Sequence, residues 1–311
     1  MGKKYDGVKR TFVHLGVLGH SERVDGFAFD LLGHFAKQRV NGVQASGLWN
    51  ITRGPVDGVQ ASSLFNFGSH IHGFQLTGLL NITTSSAHGI QIAGVTNLSI
   101  DGKGLTQIAL NNIVLKDLEG VQVGINNYAG SLKGVQVGLL NISDGERMHG
   151  VQVGLINISR DTSAVKVGLV NINPTTRIQM MVFAGNNTKL NGAIRFRNEH
   201  FYSILGAGLY NKGLDDKFSG TLYYRAGLHY AIASRWRVCG DVGFAHLENS
   251  EKDTNYEAQR MFALQTRLGI EYKCSSKLAV FGTGGHSMQR RYGRHHSFAH
   301  KPIVELGILL F

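Results

Sequence analysis

The chain has 311 residues, with 41 glycines, 3 prolines, 2 cysteines and a formal charge of +11 at neutral pH. That length has room for two domains, and so much glycine with so little proline suits a tightly turned all-β chain. The positive charge is not gathered into a stripe with interleaved aromatics, so nucleic-acid binding is not expected; it suits an envelope protein drawn to phosphate-bearing lipid or acidic glycan.

Residues 1–25 read as an N-terminal lead or cap. Met1-Gly2-Lys3-Lys4 is basic, but the stretch Thr11 to Gly19 is short, contains His14 and lacks a clear cleavage site, so no signal peptide is visible. No apolar run is long enough for a transmembrane helix.

Residues 26–175 form the repeat domain. Between Gln44 and Asn171 a phrase close to G-V-Q-x-x-G-L-x-N-I recurs nine times at spacings of 14 to 16 residues. Its glutamines are Gln44, Gln60, Gln75, Gln91, Gln107, Gln122, Gln136 and Gln152, with Lys166 in the ninth place. The asparagines Asn50, Asn66, Asn81, Asn97, Asn112, Asn127, Asn141, Asn157 and Asn171 keep step. A degenerate earlier copy, Gly26 to Phe35, has Ala28 and His34 in their places. Gln and Asn stand six residues apart in the first four copies and five afterwards, so the later coils are expected to be tighter. Val, Ile and Leu dominate each copy, which reads as strand, and the polar stretches between copies read as turns.

A unit this short cannot bury a core alone and must stack on its copies. In a parallel β-solenoid each copy is one coil, about 4.8 Å above the last, and the copies make a rod about 45 Å long with Gln and Asn in ladders. In an antiparallel barrel the natural repeat is a two-strand hairpin of about twice the length, so the one-strand period favours the solenoid. A single larger antiparallel outer-membrane barrel is the alternative. Asn50, Asn81, Asn97, Asn141 and Asn157 match the N-glycosylation pattern, but their regular spacing reads as a structural ladder.

Residues 176–311 lose the phrase and alternate strictly. Eight strands are predicted, at 177–184, 190–197, 200–210, 219–232, 235–248, 259–273, 277–288 and 302–311, forming an antiparallel barrel-like domain. Leu222, Tyr224, Ala226, Leu228 and Tyr230 share one face and Tyr223, Arg225, Gly227 and His229 the other. Phe262, Leu264, Leu268, Ile270 and Tyr272 likewise oppose Gln265, Arg267, Glu271 and Lys273. A soluble barrel shows the same pattern turned inside out. Membrane placement is favoured by links that alternate tight (Ala233-Ser234, Ser275-Ser276) and long (249–258, 289–301), by polar-face charges of both signs, and by the final Phe311. Counting in twos from Phe311 puts Glu305 on the lipid face, opposite Val304, Leu306, Ile308 and Leu310. Cys239 and Cys274 are offset in simple hairpin register and are expected to be free thiols.

The copies, read with Gly150 to Ile158, Phe196-Arg197 and Phe201 to Gly208, resemble an uncharacterised family of bacterial cell-envelope surface-repeat proteins. The resemblance spans roughly residues 22–210 and implies an envelope protein of Gram-negative bacteria. Ala28, Lys166 and the clipped copy around Gln107 depart from the pattern, and the family offers no catalytic residue to transfer.

Chemistry is sparse. The stretch Gly285-His286-Ser287-Met288-Gln289 lacks the second glycine of a nucleophile elbow, and no phosphate loop or metal spacing is present. The acids Asp57, Asp101, Asp117, Glu119, Asp144, Glu146 and Asp161 lie in turns at unequal offsets, unlike the clustered carboxylates of a polysaccharide-cleaving solenoid. No catalytic residue, cofactor or metal is expected, and His70 and His72 read as an unliganded pair. The densest polar cluster, with Arg290, Arg291, Arg294, His295 and His296, is an extracellular-loop candidate for an anionic glycan or lipopolysaccharide phosphate. The expected protein is a non-catalytic outer-membrane or cell-surface repeat protein, structural or adhesive, contacting outer-membrane lipid. A small-molecule pore and a carbohydrate-active enzyme are the alternatives.

Overall fold

The computed structural model describes residues 9–145, 150–162, 164–209, 219–249, 259–292 and 297–311. They form two compact units, 1–168 and 169–311, both built of strands.

In the first unit β1 (Arg10–Ser46), β2 (Trp49–Thr52), β3 (Val56–Ser62), β4 (Phe65–Gly68), β5 (Ile71–Thr77), β6 (Leu80–Ala93), β7 (Thr96–Ile108), β8 (Asn111–Val123), β9 (Asn126–Ser143), β10 (Val151–Ser159) and β11 (Val165–Val167) wind into stacked parallel coils. Pairing sets each residue on its repeat counterpart: Gln44 on Gln60, Asn50 on Asn66, Gln136 on Gln152, Asn141 on Asn157. The repeats therefore form a solenoid, and the single-larger-barrel alternative is corrected. Stacking is already under way upstream of the first clear copy, since β1 starts at Arg10 and a Cβ on Gly26 would meet the Phe12 carbonyl oxygen at 2.2 Å.

The glycine of G-V-Q is fixed by this stacking. Gly42, Gly58 and Gly73 have φ of 134°, 139° and 138°, and a Cβ on Gly58 or Gly73 would stand 2.0 or 2.1 Å from the oxygen of the glycine one coil below. Only a residue without a side chain permits both the backbone angle and the approach. Beside the amides the interior holds an apolar column that includes Val24, Val40, Val56, Ile71, Leu105, Leu118 and Leu132.

The second unit opens with β12 (Val170–Ile172). There follow β13 (Arg177–Gly185), β14 (Leu190–Arg197), β15 (Phe201–Leu209), β16 (Ser219–Ala231), β17 (Trp236–Asn249), β18 (Gln259–Lys273), β19 (Leu278–Arg291) and β20 (Ala299–Leu310), a closed antiparallel barrel in which β20 pairs with β13. All eight predicted strands are present. The largest shifts are at β19, which runs three residues past its predicted end, and β20, which starts three residues early, so the 289–301 link contracts.

The assignment of Glu305 to the lipid face is wrong. Glu305 is 4% exposed inside the barrel, whereas Val304, Leu306 and Leu310 face outward. Phe311 is the cause, because it is no guide to the outer wall: it is partly buried against the lumen cluster, beneath the Arg197 guanidinium. Cys239 and Cys274 are free.

Candidate membrane-facing and contact surfaces

Both units bury polar side chains beside an apolar cluster and leave apolar side chains exposed outside, and the solenoid buries its polar groups as amides. Each Gln Nε2 donates to the Gln Oε1 of the preceding coil, from Gln60 on Gln44 (2.8 Å) to Gln152 on Gln136 (2.8 Å). Each Asn Nδ2 donates the other way, from Asn50 to Asn66 (2.9 Å) through to Asn141 on Asn157 (2.8 Å). The two ladders thus run antiparallel and their amide dipoles oppose. The second Asn N–H caps a carbonyl at the bend, as Asn81 does on Ile92 O (2.9 Å). Gln44 to Gln152 and Asn50 to Asn157 are almost wholly buried, so the five N-x-S/T asparagines are structural and closed to glycosylation in the folded chain.

Because strand side chains alternate, burying Gln and Asn turns their neighbours outward. None of those neighbours from Val43 to Val167 is charged. An aliphatic row at the bend, Leu48, Leu64, Leu79, Val95, Leu110, Ile125, Leu139 and Leu155, is 39% to 51% exposed. Beside it runs a second exposed row, Leu76, Ile108, Val123, Val137 and Val153. Together the two rows leave apolar side chains exposed along the repeat unit.

The barrel lumen is filled and ion-paired. The Arg225 guanidinium grips the Glu305 carboxylate twice (2.8 and 2.9 Å), and Arg267 Nε approaches the same carboxylate at 3.2 Å. Arg195 donates both of its terminal nitrogens to Glu271, and Tyr202 Oη donates to Asp241 (3.0 Å). Phe183, Tyr223 and Phe281 pack among these groups. On the outer wall of β18, Leu264, Thr266, Leu268 and Ile270 lie between Phe262 and Tyr272. Tyr272 contacts Trp236 (4.8 Å) at the tight-turn end, and Phe262 contacts Tyr292 (5.3 Å) and Phe298 (6.0 Å) at the other. Ten residues of strand at about 3.4 Å each, tilted by about 40°, separate these aromatic clusters by about 26 Å.

Of the predicted anion-binding residues, Arg290 and Arg291 end β19, with the Arg290 guanidinium 5.6 Å from the Phe298 ring centre; Arg294, His295 and His296 lie outside the described residues. His70 bonds Ser69, while His72 stacks edge-on against His88 of the next coil (4.7 Å). Asp57, Asp101, Asp117 and Glu119, expected in turns, lie in strands, and acids pair across coils: Asp57 with Arg39 (2.9 Å), Glu119 with Lys133 (2.6 Å) and Asp144 with Arg160 (2.7 Å). The Lys133 ammonium holds the Glu119 carboxyl below its ordinary value. Glu146 lies outside the described residues.

One cluster was not singled out from the sequence. His14 Nε2 lies 3.0 Å from Asp30 Oδ1 and His34 Nδ1 lies 2.6 Å from Asp30 Oδ2. Burial lowers the His34 pKa, against the opposing pull of Asp30. Its signal was the coil period itself, since His14 and Asp30 are 16 residues apart.

No family model and no curated protein matches the chain. Among solved structures it is similar to the N-terminal β-barrel domain of Pseudomonas aeruginosa OprF, at 14% identity and a TM-score of 0.34, covering 43% of this chain and 95% of that one. A structure titled as de novo design of transmembrane β-barrels is similar at 17% identity and a TM-score of 0.29, covering 44% and 95%.

Proposed function

We propose that this is a non-catalytic outer-membrane protein with a structural or adhesive role, in which the eight-stranded barrel spans the membrane and the repeat unit offers its uncharged aliphatic face as a contact surface. The observation that carries the reading is the inverted polarity of the barrel: paired charges fill the lumen while Leu222, Leu228, Val242 and Leu268 stand exposed on the wall. A soluble barrel keeps its apolar side chains inside. The span of about 26 Å between aromatic clusters matches the apolar band of about 25 Å, flanked by aromatic girdles, of an outer-membrane barrel.

The pore alternative is disfavoured because side chains fill an eight-stranded barrel, and here they are locked by ion pairs. The repeat phrase and its resemblance to envelope surface-repeat proteins support a surface role, with membrane lipid as one contact and the Arg290-Arg291 end as the place for an anionic glycan or lipopolysaccharide phosphate.

Expression behind a bacterial signal peptide, followed by membrane fractionation and gel mobility with and without boiling, tests the proposal. Outer-membrane recovery with a heat-dependent mobility shift is expected. A soluble, non-shifting product sinks the membrane assignment, and single-channel conductance in planar bilayers would replace the structural role with the pore.

A further inference from the structure

We propose that His14, Asp30 and His34 bind a first-row divalent transition metal ion of the zinc class at the N-terminal end of the solenoid. Two imidazoles and one carboxylate suit such an ion and leave a further coordination position open. One ligand atom from each residue lies within 4.8 Å of the other two; bonds of about 2.0–2.2 Å need the 2.6 Å contact between His34 Nδ1 and Asp30 Oδ2 to open and the wider separations to close. Asp30 and His34 are fully buried, and the His14 side chain is 28% exposed, which gives the ion its entry and His14 its freedom to close on it.

Two independent features point to a ligand rather than to a plain stacking contact. This coil lacks both ladder amides: Ala28 takes the Gln place, and His34 takes the Asn place, in register with Asn50. The chain also clears room for the cluster. A Cβ on Gly19 would stand 2.2 Å from His34 Nδ1 and 2.3 Å from Asp30 Oδ2, and one on Gly16 would stand 2.8 Å from Asp30 Oδ1 and 3.0 Å from His14 Nε2.

The proton balance is simple. In the metal-free cluster each ring donates an N–H to the carboxylate. On binding, the ion takes those two nitrogens, and each ring proton moves to the other nitrogen of its own imidazole. For His34 that is Nε2. Both rings stay neutral, and the site carries the ion's two positive charges less that of Asp30.

The test is calorimetric titration of zinc chloride into the purified full chain after chelator treatment, with thermal unfolding followed in parallel. One equivalent of zinc binding, raised thermal stability, and loss of affinity by about 100-fold or more in His14→Ala and His34→Asn are expected, since even outer-shell changes cost 10–100-fold. His34→Asn supplies the residue the other coils carry, and His14 sits at the exposed rim, so both variants should keep the β-sheet circular dichroism of the parent. No saturable zinc binding by the parent overturns the proposal and leaves a hydrogen-bonded cap. Binding that both variants retain also overturns it, and moves the ion to another histidine pair such as His286 and His300, whose ring nitrogens are 2.8 Å apart.

Discussion

Gln152 Oε1 is buried and has no hydrogen-bond partner among the described residues, at the point where the ladder reaches Lys166. In every earlier step that oxygen accepts the amide of the following glutamine; here the Lys166 ammonium turns instead to the carbonyls of Asp161 (3.0 Å) and Ala164 (3.3 Å). Lys166→Gln restores the missing donor and should stabilise the repeat unit by about 1 kcal/mol in urea unfolding, the net value of one hydrogen bond. The change should also alter the pH profile. Burial lowers the Lys166 pKa from its ordinary 10.5, so just below that value the unfolded chain holds more protons than the folded one. Stability of the parent should therefore rise as pH climbs from neutral towards about 10, and the contribution should vanish in the variant. A rise of equal size in both would assign it to other groups. Lys166 was legible as a break in the ladder; the orphaned oxygen was not, because only coordinates show where the ammonium goes.

At the scale of elements, each coil touches only its neighbours, and both ladders are indifferent to how many copies they join. Removal of residues 91–106 takes out sixteen residues, the spacing from Gln91 to Gln107, and brings Gln107 onto Gln75 with its glycine and asparagine partners in register. That deletion should leave a cooperatively folding chain with modestly lower thermal stability. Removal of residues 91–98 alone takes half a period, sets Gln107 over Thr83 and Asn112 over His88 so that neither ladder continues, and should abolish cooperative unfolding by circular dichroism. Equal behaviour of the two deletions would refute independent stacking. The sequence exposed this organisation well, because the one-strand period of 14 to 16 residues already favoured parallel coils. The eight barrel strands were equally readable from strict alternation, whereas strand ends at β19 and β20 moved because pairing with neighbours sets how far a strand continues.

For the whole molecule, the proposed membrane assignment turns on which side of the barrel wall faces outward. Leu268 is 76% exposed on β18, level with Gly240 and Gly284 of the flanking strands and midway along the wall. Leu268→Arg should destabilise the barrel in phospholipid vesicles by about 2–4 kcal/mol, the range for arginine near the bilayer midplane. Urea titration in vesicles, read as the fraction keeping unboiled gel mobility, measures it. An unchanged midpoint would mean that this wall faces water.

The sequence alone determined the coil period, the stacking of identical side chains and the two faces of every barrel strand, because periodicity is a local property of backbone geometry. It could not say which face is outside, since alternation is symmetric until the sheet closes. Closure put Glu305 beside Arg225 and Arg267, which lie far from it in the chain, and overruled the parity counted from Phe311. Coil stacking likewise carried His14 onto Asp30, one turn of the solenoid away, and made a three-residue cluster from positions that share no motif. Such contacts depend on distances across the fold, and only the tertiary structure supplies those.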